Sequence, residues 1–346
     1  MSERRLFLDR GIGEDRGVVT LDGRPERLLL RRDGDQESLR CGARHVARVR
    51  RVEAAIGSAF LELGEGAEAI LPFRPDARPV EGEALIVEVR SEPRRGKLAV
   101  VRADGPAEGA PRLAAPPPGL VDQLRAFTRN AQIVEGREAR AMADAAQAEI
   151  LATVHALPGG GDLAIETTRA LTSVDIDLGE RKGADAKRIT RQANLAAIGV
   201  VARLLRLKGL GGLVVIDLVG RGHDGTALLA AARAAFAPDN PGVAMGPVSR
   251  FGTLELTIPR RTQPLSETLC GDASGPSDLT WALALVRRLQ DEARAQPGAR
   301  LKALCAPPVA EAAKPLAEAL ALQIGARFTI LPDGALAPDA PEVTRS

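Results

Sequence analysis

Two short apolar runs that each end in acid, Thr172-Ser173-Val174-Asp175-Ile176-Asp177 and Gly212-Leu213-Val214-Val215-Ile216-Asp217, constrain this chain more than any other feature. Between them, from about Asp185 to Leu207, Ile189, Leu195, Ile198, Val201 and Leu205 recur at helical spacing, with Arg191, Arg203 and Arg206 off the apolar stripe. Lys187 and Arg188 add positive charge near the start of this helix. Strand, basic helix, strand is a βαβ unit, whose strands run parallel and open their C-terminal ends at one sheet edge, where ligands usually bind. Asp175 and Asp217 then face one site. Paired carboxylates there suit a hard divalent cation such as Mg²⁺, which takes oxygen ligands and keeps waters for a reaction. The neighbouring cations point to a polyanionic substrate. A strand-end Asp also serves as a turn former or helix cap with no chemistry attached. Three acids on two strand ends, each after an apolar run, favour the ligand reading.

The chain has 346 residues, enough for two or three domains with their own cores. Its 47 basic and 45 acidic residues nearly cancel, so a polyanion must be held by local patches. Cys41, Cys270 and Cys305 lie far apart and form no Cys-x-x-Cys pair, which suits a reducing compartment rather than a disulfide framework. The start, Met1-Ser2-Glu3-Arg4-Arg5, lacks the apolar stretch of a signal peptide, and no later run approaches membrane-spanning length. A soluble cytoplasmic protein without membrane partners is expected. Aromatic residues make up 2% of the chain, which limits base stacking as a source of nucleic-acid affinity.

Residues 1–37 read as a β-hairpin segment, with Gly17–Leu21 and Glu26–Leu30 joined at Asp22-Gly23 and Pro25 helping to close the turn. Residues 38–104 show five short strand patterns, His45–Val52, Gly57–Leu63, Ala69–Phe73, Ala84–Arg90 and Lys97–Arg102, which suit an OB-type β-barrel. Its positive face draws on Arg44, Arg48, Arg50, Arg51, Arg90, Arg94, Arg95 and Lys97, and the plainer reading is a solvated strand face. Residues 105–156 begin as a Pro-rich extended linker and continue as one or two helices. Pro158-Gly159-Gly160-Gly161 is a hairpin turn rather than a phosphate cradle, because no Lys-Ser/Thr follows. Residues 157–262 form the α/β unit that holds the acidic strands, including the loop around His223, which is a metal ligand, a proton donor or simply solvated. Residues 263–276 link it to a small α/β subdomain with its tail, 277–346, where Trp281 is a core residue.

The stretch Gly179–Gly212 with Leu210-Gly211-Gly212-Leu213-Val214-Val215-Ile216-Asp217, and the later Ser249-Arg250-Phe251-Gly252-Thr253-Leu254-Glu255, resembles the catalytic core of the ribonuclease E/G family. Ala59-Phe60-Leu61-Glu62-Leu63-Gly64 is similar to that family's OB-type RNA-binding domain. The resemblance implies a Mg²⁺-dependent endoribonuclease that cuts single-stranded RNA in a DNase-I-like fold, leaving 5′-phosphate and 3′-hydroxyl ends. It places metal binding on Asp175 and Asp217 and a supporting role on Asp177, where the family has Asn. Lys187, Arg188 and Arg191 become phosphate contacts, and Arg44, Arg48, Arg50, Phe60 and Lys97 become RNA contacts on the barrel.

The departures are specific. Ile70 stands where the family's barrel carries a stacking aromatic, Gly220 where an Asp is expected, and Lys187 and Arg188 where the helix is acidic. Only about Leu120–Ala156 fills the interval of the family's 5′-end sensor and RNase-H-like insert, so cleavage independent of the 5′ end is expected. Any substitute phosphate pocket would have to draw on Arg125, Arg129 and the barrel. The family's zinc link needs two thiols per protomer, but Leu269-Cys270-Gly271-Asp272-Ala273 has one, so no zinc is expected, and a homodimer would rest on the C-terminal subdomain. Two readings stand: an endoribonuclease of reduced architecture, or an RNA-binding or ribosome-associated protein of the same fold with little catalysis. A protein scaffold acting through the C-terminal subdomain is a third.

Overall fold

The computed structural model describes residues 3–94, 96–128, 131–181, 185–239, 242–271 and 275–345. Arg95, read above on the barrel's positive face, Arg129, named for a substitute phosphate pocket, and Asp272 and Ala273 beside the lone thiol lie outside the described residues. Strands β1 (Arg4–Arg10), β2 (Glu14–Leu21) and β3 (Arg24–Arg32) form an antiparallel meander. The β2–β3 turn holds Asp22 at φ 50° and Gly23 at φ 77°, the left-handed pair whose twist matches a hairpin. Pro25 lies inside β3 opposite Thr20 rather than closing the turn. The register slips there, which accommodates a residue with no N–H to donate.

The chain next builds a closed five-stranded barrel from β4 (Arg44–Glu53), β5 (Ser58–Gly64), β6 (Ala67–Pro72), β7 (Ala84–Ser91) and β8 (Ala99–Pro106). Pairing runs β4-β5-β6-β8-β7-β4, with β6 and β8 parallel, an OB-like arrangement. Alternation sets each strand's two faces: Leu85, Val87 and Val89 are buried with Val49, Leu61, Leu63 and Val101, while Arg90 points out. The expected linker contains one more strand, β9 (Arg112–Ala115), which pairs with β4 across a register shift.

Beyond the barrel come α1 (Leu120–Phe127), β10 (Ile133–Glu135) and α2 (Arg137–Leu151), so the two expected helices have a strand between them. β10 joins β1 in parallel, giving the order β10-β1-β2-β3. The first sheet is thus assembled from both sides of the barrel. Its Phe7, Val18, Leu28 and Leu30 share a core with Ala139, Ala143, Ala146 and Ile150 of α2.

The six-stranded sheet comprises β11 (Val154–Ala156), β12 (Asp162–Thr167), β13 (Thr172–Asp177), β14 (Gly212–Asp217), β15 (Ala244–Met245) and β16 (Thr253–Ile258), in the order β11-β12-β13-β14-β16-β15. Helix α3 (Ala186–Lys208) connects β13 to β14, and α4 (Gly225–Phe236) follows β14. Only β13 and β14 are parallel in this sheet, and α3 is the crossover such a pair requires. Ile198, Val201 and Leu205 of α3 bury Val174, Ile176, Val214, Ile216, Leu254 and Leu256 on one sheet face. Arg203 and Arg206, off the apolar stripe, are not solvent-facing. Arg206 contacts Asp239 at 2.8 Å and Glu26 at 3.2 Å, and Arg203 pairs with Glu149 and donates to Pro25 O.

The last third contains α5 (Leu265–Leu269), α6 (Asp278–Ala295), β17 (Leu301–Cys305), α7 (Pro307–Ile324), β18 (Phe328–Pro332) and β19 (Glu342–Arg345). Its three strands are ordered β18-β17-β19, and a separate core of Leu283, Val286, Leu289, Val309 and Leu320 carries Trp281 half-buried against it. Buried charges fasten this unit to the first sheet. Arg16 meets Asp9 at 2.5 Å and Asp144 at 2.8 Å, and Arg140 meets Asp9 at 3.2 Å and Asp291 at 2.7 Å. Glu14 receives Arg32 at 2.7 Å and Arg287 at 2.9 Å. Among the described residues, no helix is long and apolar enough to cross a membrane.

Candidate active-site edge

β13 and β14 pair with Thr172 beside Val214, Ser173 beside Val215 and Val174 beside Ile216. One further step of that register sets Asp175 beside Asp217, on strands whose usual separation is about 4.8 Å. Period-two alternation then decides the faces. Val174, Ile176, Val214 and Ile216 are buried against the helices, so Asp175, Asp177 and Asp217 stand on the opposite, exposed face. The antiparallel neighbours extend this face: Asp162 lies opposite Asp177, Glu166 opposite Ser173, Thr253 opposite Asp217 and Glu255 opposite Val215.

Asp175 and Asp217 accept no hydrogen bond and form no ion pair among the described residues. Asp177 does: its Oδ1 accepts the Gly179 N–H at 2.6 Å, an Asx-type turn that bends the chain away from the sheet. Gly161 packs against that bend so closely that a Cβ there would run into the Asp177 carbonyl. Arg181 closes the other side, donating to the carbonyls of Gly160 at 2.5 Å and Pro158 at 2.6 Å, so the Gly-rich stretch is a braced hairpin turn.

Asp185 caps α3, accepting the Arg188 N–H at 3.1 Å, and no acidic residue follows in the first turn. Lys187, Arg188 and Arg191 are exposed there, where the helix start already carries partial positive charge. The only ion pair these three make among the described residues is a loose one, Arg191 to Asp224 at 3.8 Å. Asn194 is buried and clamps the chain after Asp217: its Nδ2 donates to Val219 O at 3.0 Å, and its Oδ1 accepts Val219 N–H at 3.1 Å. Gly220, at φ 92°, lies close enough to Thr190 that a side chain would clash, which explains Gly rather than Asp at this position. His223 is half-buried beside Gly252, and its Nε2 has no hydrogen-bond partner among the described residues.

The structure therefore gathers Asp175, Asp177, Asp217, Lys187, Arg188 and Arg191 at one end of the sheet. The barrel residues stand apart from them. The barrel docks on the chain just after β16, where Glu92 N–H donates to Arg261 O at 2.8 Å and the Glu92 side chain accepts from Gln263 N–H and Cys41 N–H. β16 runs antiparallel to β14, so this attachment is at the opposite end of the sheet from Asp217. The barrel's cations are also largely neutralised: Arg44 pairs with Asp104, Arg50 with Glu62, Arg51 with Glu53 and Arg90 with Glu88. Arg48 donates to the carbonyls of Gly82 and Gly109, while Lys97 is exposed. Phe60 lies directly opposite Ile70, with the Arg51 guanidinium 4.5 Å from its ring centre. A cavity of about 820 Å³ fills the junction of barrel, first sheet and α3, lined in part by Arg27, Arg31, Leu205, Leu210, Phe236 and Arg261. It is remote from the acidic edge.

Among the described residues, no three His, Cys, Asp or Glu side chains converge to enclose a metal. Two unpartnered carboxylates on adjacent strands nonetheless fit Mg²⁺, a hard ion commonly held by one or two carboxylates with its remaining positions hydrated. They do not fit a structural zinc site, which needs four closed ligands. Sequence reasoning missed the neighbours that shape the edge. Asn194 is one polar residue on a helical pattern, and Arg250 and Phe251 lie in a short segment whose turn has no local signal beyond Gly252.

Residues 118–261 match the Ribonuclease E/G family. This stretch begins after the barrel and contains Asp175, Asp177, Asp217 and the Ser249–Glu255 segment. The chain is similar to Ribonuclease E of Haemophilus influenzae, 33% identical over 147 residues, which are 40% of this chain and 16% of that protein. It is similar to Ribonuclease E of Escherichia coli K12, 31% identical over 164 residues, 44% of this chain and 16% of that protein. Ribonuclease G of Escherichia coli K12 is 29% identical over 119 residues, 34% of this chain and 24% of that protein. The alignments thus span under a quarter of each of these relatives, and the similarity of this chain to the ribonuclease E/G family is carried by residues 118–261.

Proposed function

We propose that this chain is an endoribonuclease that cleaves single-stranded RNA with Mg²⁺, acting in RNA processing or decay. The observation that carries this reading is the parallel β13–β14 register ending at Val174 beside Ile216, which continued by one residue brings Asp175 next to Asp217 on the exposed face of a family-matched sheet. Residues 157–262 are read as the DNase-I-like catalytic core and residues 38–104 as the RNA-binding barrel. Asp175 and Asp217 would hold the ion, which when bound offsets charge developing on the phosphoryl oxygens and makes water a better nucleophile. Asp177, anchored through Gly179, would orient water with its remaining lone pairs. Lys187, Arg188 and Arg191 would receive phosphates at the start of α3, and Arg44, Arg48, Arg50, Phe60 and Lys97 the strand on the barrel. Affinity would fall as salt rises. We read the protein as cytoplasmic, without a membrane or zinc requirement, with a homodimer, if formed, resting on the C-terminal unit.

The test is cleavage of one single-stranded RNA, prepared with a 5′-monophosphate or a 5′-hydroxyl, with and without Mg²⁺. Cleavage should require Mg²⁺ and fall at least a thousandfold in Asp175→Ala and Asp217→Ala, while both variants stay folded and bind RNA. An Asp217→Ala protein cutting at the original rate would remove the metal assignment. The two 5′ ends should be cut at nearly equal rates. A tenfold difference, about 1.4 kcal/mol, would demand a phosphate pocket outside the residues named here.

A second reading is an RNA-binding or ribosome-associated protein of the same fold with little catalysis. It is favoured by the barrel's attachment at the sheet end opposite Asp217 and by the turn hydrogen bond that occupies Asp177. RNA binding without Mg²⁺-dependent cleavage would establish it.

A further inference from the structure

Phe251 is 77% exposed in a chain whose aromatic content is 2%, and it belongs to none of the four apolar clusters among the described residues. A single exposed apolar side chain is ordinary. This one is held in place. Ser249 Oγ accepts the N–H groups of Phe251 at 3.2 Å and Thr253 at 3.3 Å and bonds Thr253 Oγ1 at 2.8 Å. Ser249 N–H donates to Thr253 O at 2.8 Å, and Gly252 takes φ 88°, which a side chain would strain. The backbone under Phe251 is therefore fixed although its ring stands in water.

The ring is also prepared on one side. The Arg250 guanidinium lies 4.7 Å from its centre, a cation–π contact that leaves the opposite π-face open. The turn is tied to the acidic edge: Leu218 N–H donates to Gly252 O at 3.1 Å, and Thr253 lies opposite Asp217. Phe251 is two residues from the cross-strand neighbour of Asp217. The barrel's Phe60 is half-buried opposite Ile70, and the nearby Arg44, Arg50, Arg51 and Arg90 are paired with carboxylates.

We propose that Phe251, backed by Arg250, is the platform on which a nucleobase flanking the cleaved phosphodiester stacks. The proposal rests on the RNA-cleaving reading above and adds how the substrate is positioned. Every base presents a π-face, so the platform is tolerant of sequence. A base stacked within a duplex has no free face, so the same platform selects single-stranded RNA at this one position. Arg250 contributes positive charge beside the ring, which favours the approach of a polyanionic strand.

The experiment uses the full chain without Mg²⁺, so that binding is read without cleavage. Fluorescence anisotropy is recorded with a labelled single-stranded RNA and with a series carrying one abasic nucleotide at successive positions. The unmodified protein should lose about tenfold in affinity, about 1.4 kcal/mol, when the base at one position is missing. Phe251→Ala should bind the intact RNA about tenfold more weakly and no longer distinguish that abasic RNA. Phe251→Trp should restore both properties, whereas Phe251→Leu, which keeps apolar area without a π-face, should not. If Phe251→Ala binds as the unmodified protein does and still discriminates the abasic RNA, the platform assignment is wrong and the proposed function stands. If the unmodified protein binds no RNA, both fall together.

Discussion

Asp177 has a structural task that is separate from its proposed chemistry. Its carboxylate accepts the Gly179 N–H, and an Asn has an Oδ1 that does the same, so exchanging the two preserves the turn. Asp177→Asn also restores the residue expected from the family resemblance. We predict that Asp177→Asn cleaves RNA within threefold of the unmodified rate, whereas Asp177→Ala loses a charge-assisted bond and about 1–2 kcal/mol of stability. Parallel urea titrations and cleavage rates check both. If Asp177→Asn abolishes cleavage while the protein stays folded, the negative charge itself is required at this position. Asp175 and Asp217 make the complementary case, because neither serves a turn or a cap among the described residues.

At the scale of elements, much of the architecture was legible because it is local. The barrel strands and the βαβ unit announce themselves through period-two and period-3.6 patterns, and the Gly209 cap at φ 67° ends α3 next to Leu207, where its apolar stripe stops. Pairing between distant segments leaves no such trace. β10 has three residues and joins β1 across the whole barrel, so nothing near Ile133 identifies its partner. The acidic strand ends were legible as a pair, but the Ser249–Thr253 turn was not, because its exposed Phe reads locally as strand. The segment after α5 carries a further prediction. Burial pushes the Cys270 thiol above its ordinary range, disfavouring the thiolate that zinc requires, and its backbone is already paired with Pro276. Elemental analysis should find no zinc retained through Cys270, and chelators should leave the oligomeric state unchanged. About one zinc per two chains, lost in Cys270→Ser, would overturn this.

For the whole molecule, the decisive feature was invisible in the sequence, because a buried arginine looks like a solvated one. Arg16, Arg32, Arg140 and Arg287, with Asp9 and Glu14, join the first sheet to α2 and to the C-terminal unit with little exposure to water. Such a network contributes less than its contacts suggest, since desolvation opposes attraction, but removing one member leaves an uncompensated buried charge that costs about 3–5 kcal/mol. Acid should have the same effect through the carboxylates. Burial alone would raise the Asp9 carboxyl, but Arg16 and Arg140 more than offset it and hold the group below its ordinary value of 3.8. Arg203 likewise outweighs burial at Glu149, holding it below 4.5. In both cases the folded state releases its proton at lower pH than the unfolded chain. The stabilisation is therefore complete above the ordinary values and is lost as pH falls through the folded ones. Thermal melts should be flat in this respect from neutrality to about pH 5, then drop steeply below pH 4.5. Asp9→Asn should melt well below the unmodified protein at pH 7, with the two curves converging as acid protonates Asp9. Curves that stay parallel down to pH 2 would show that Asp9 does not carry the acid response, and that the C-terminal unit is held to the first sheet by its apolar contacts instead.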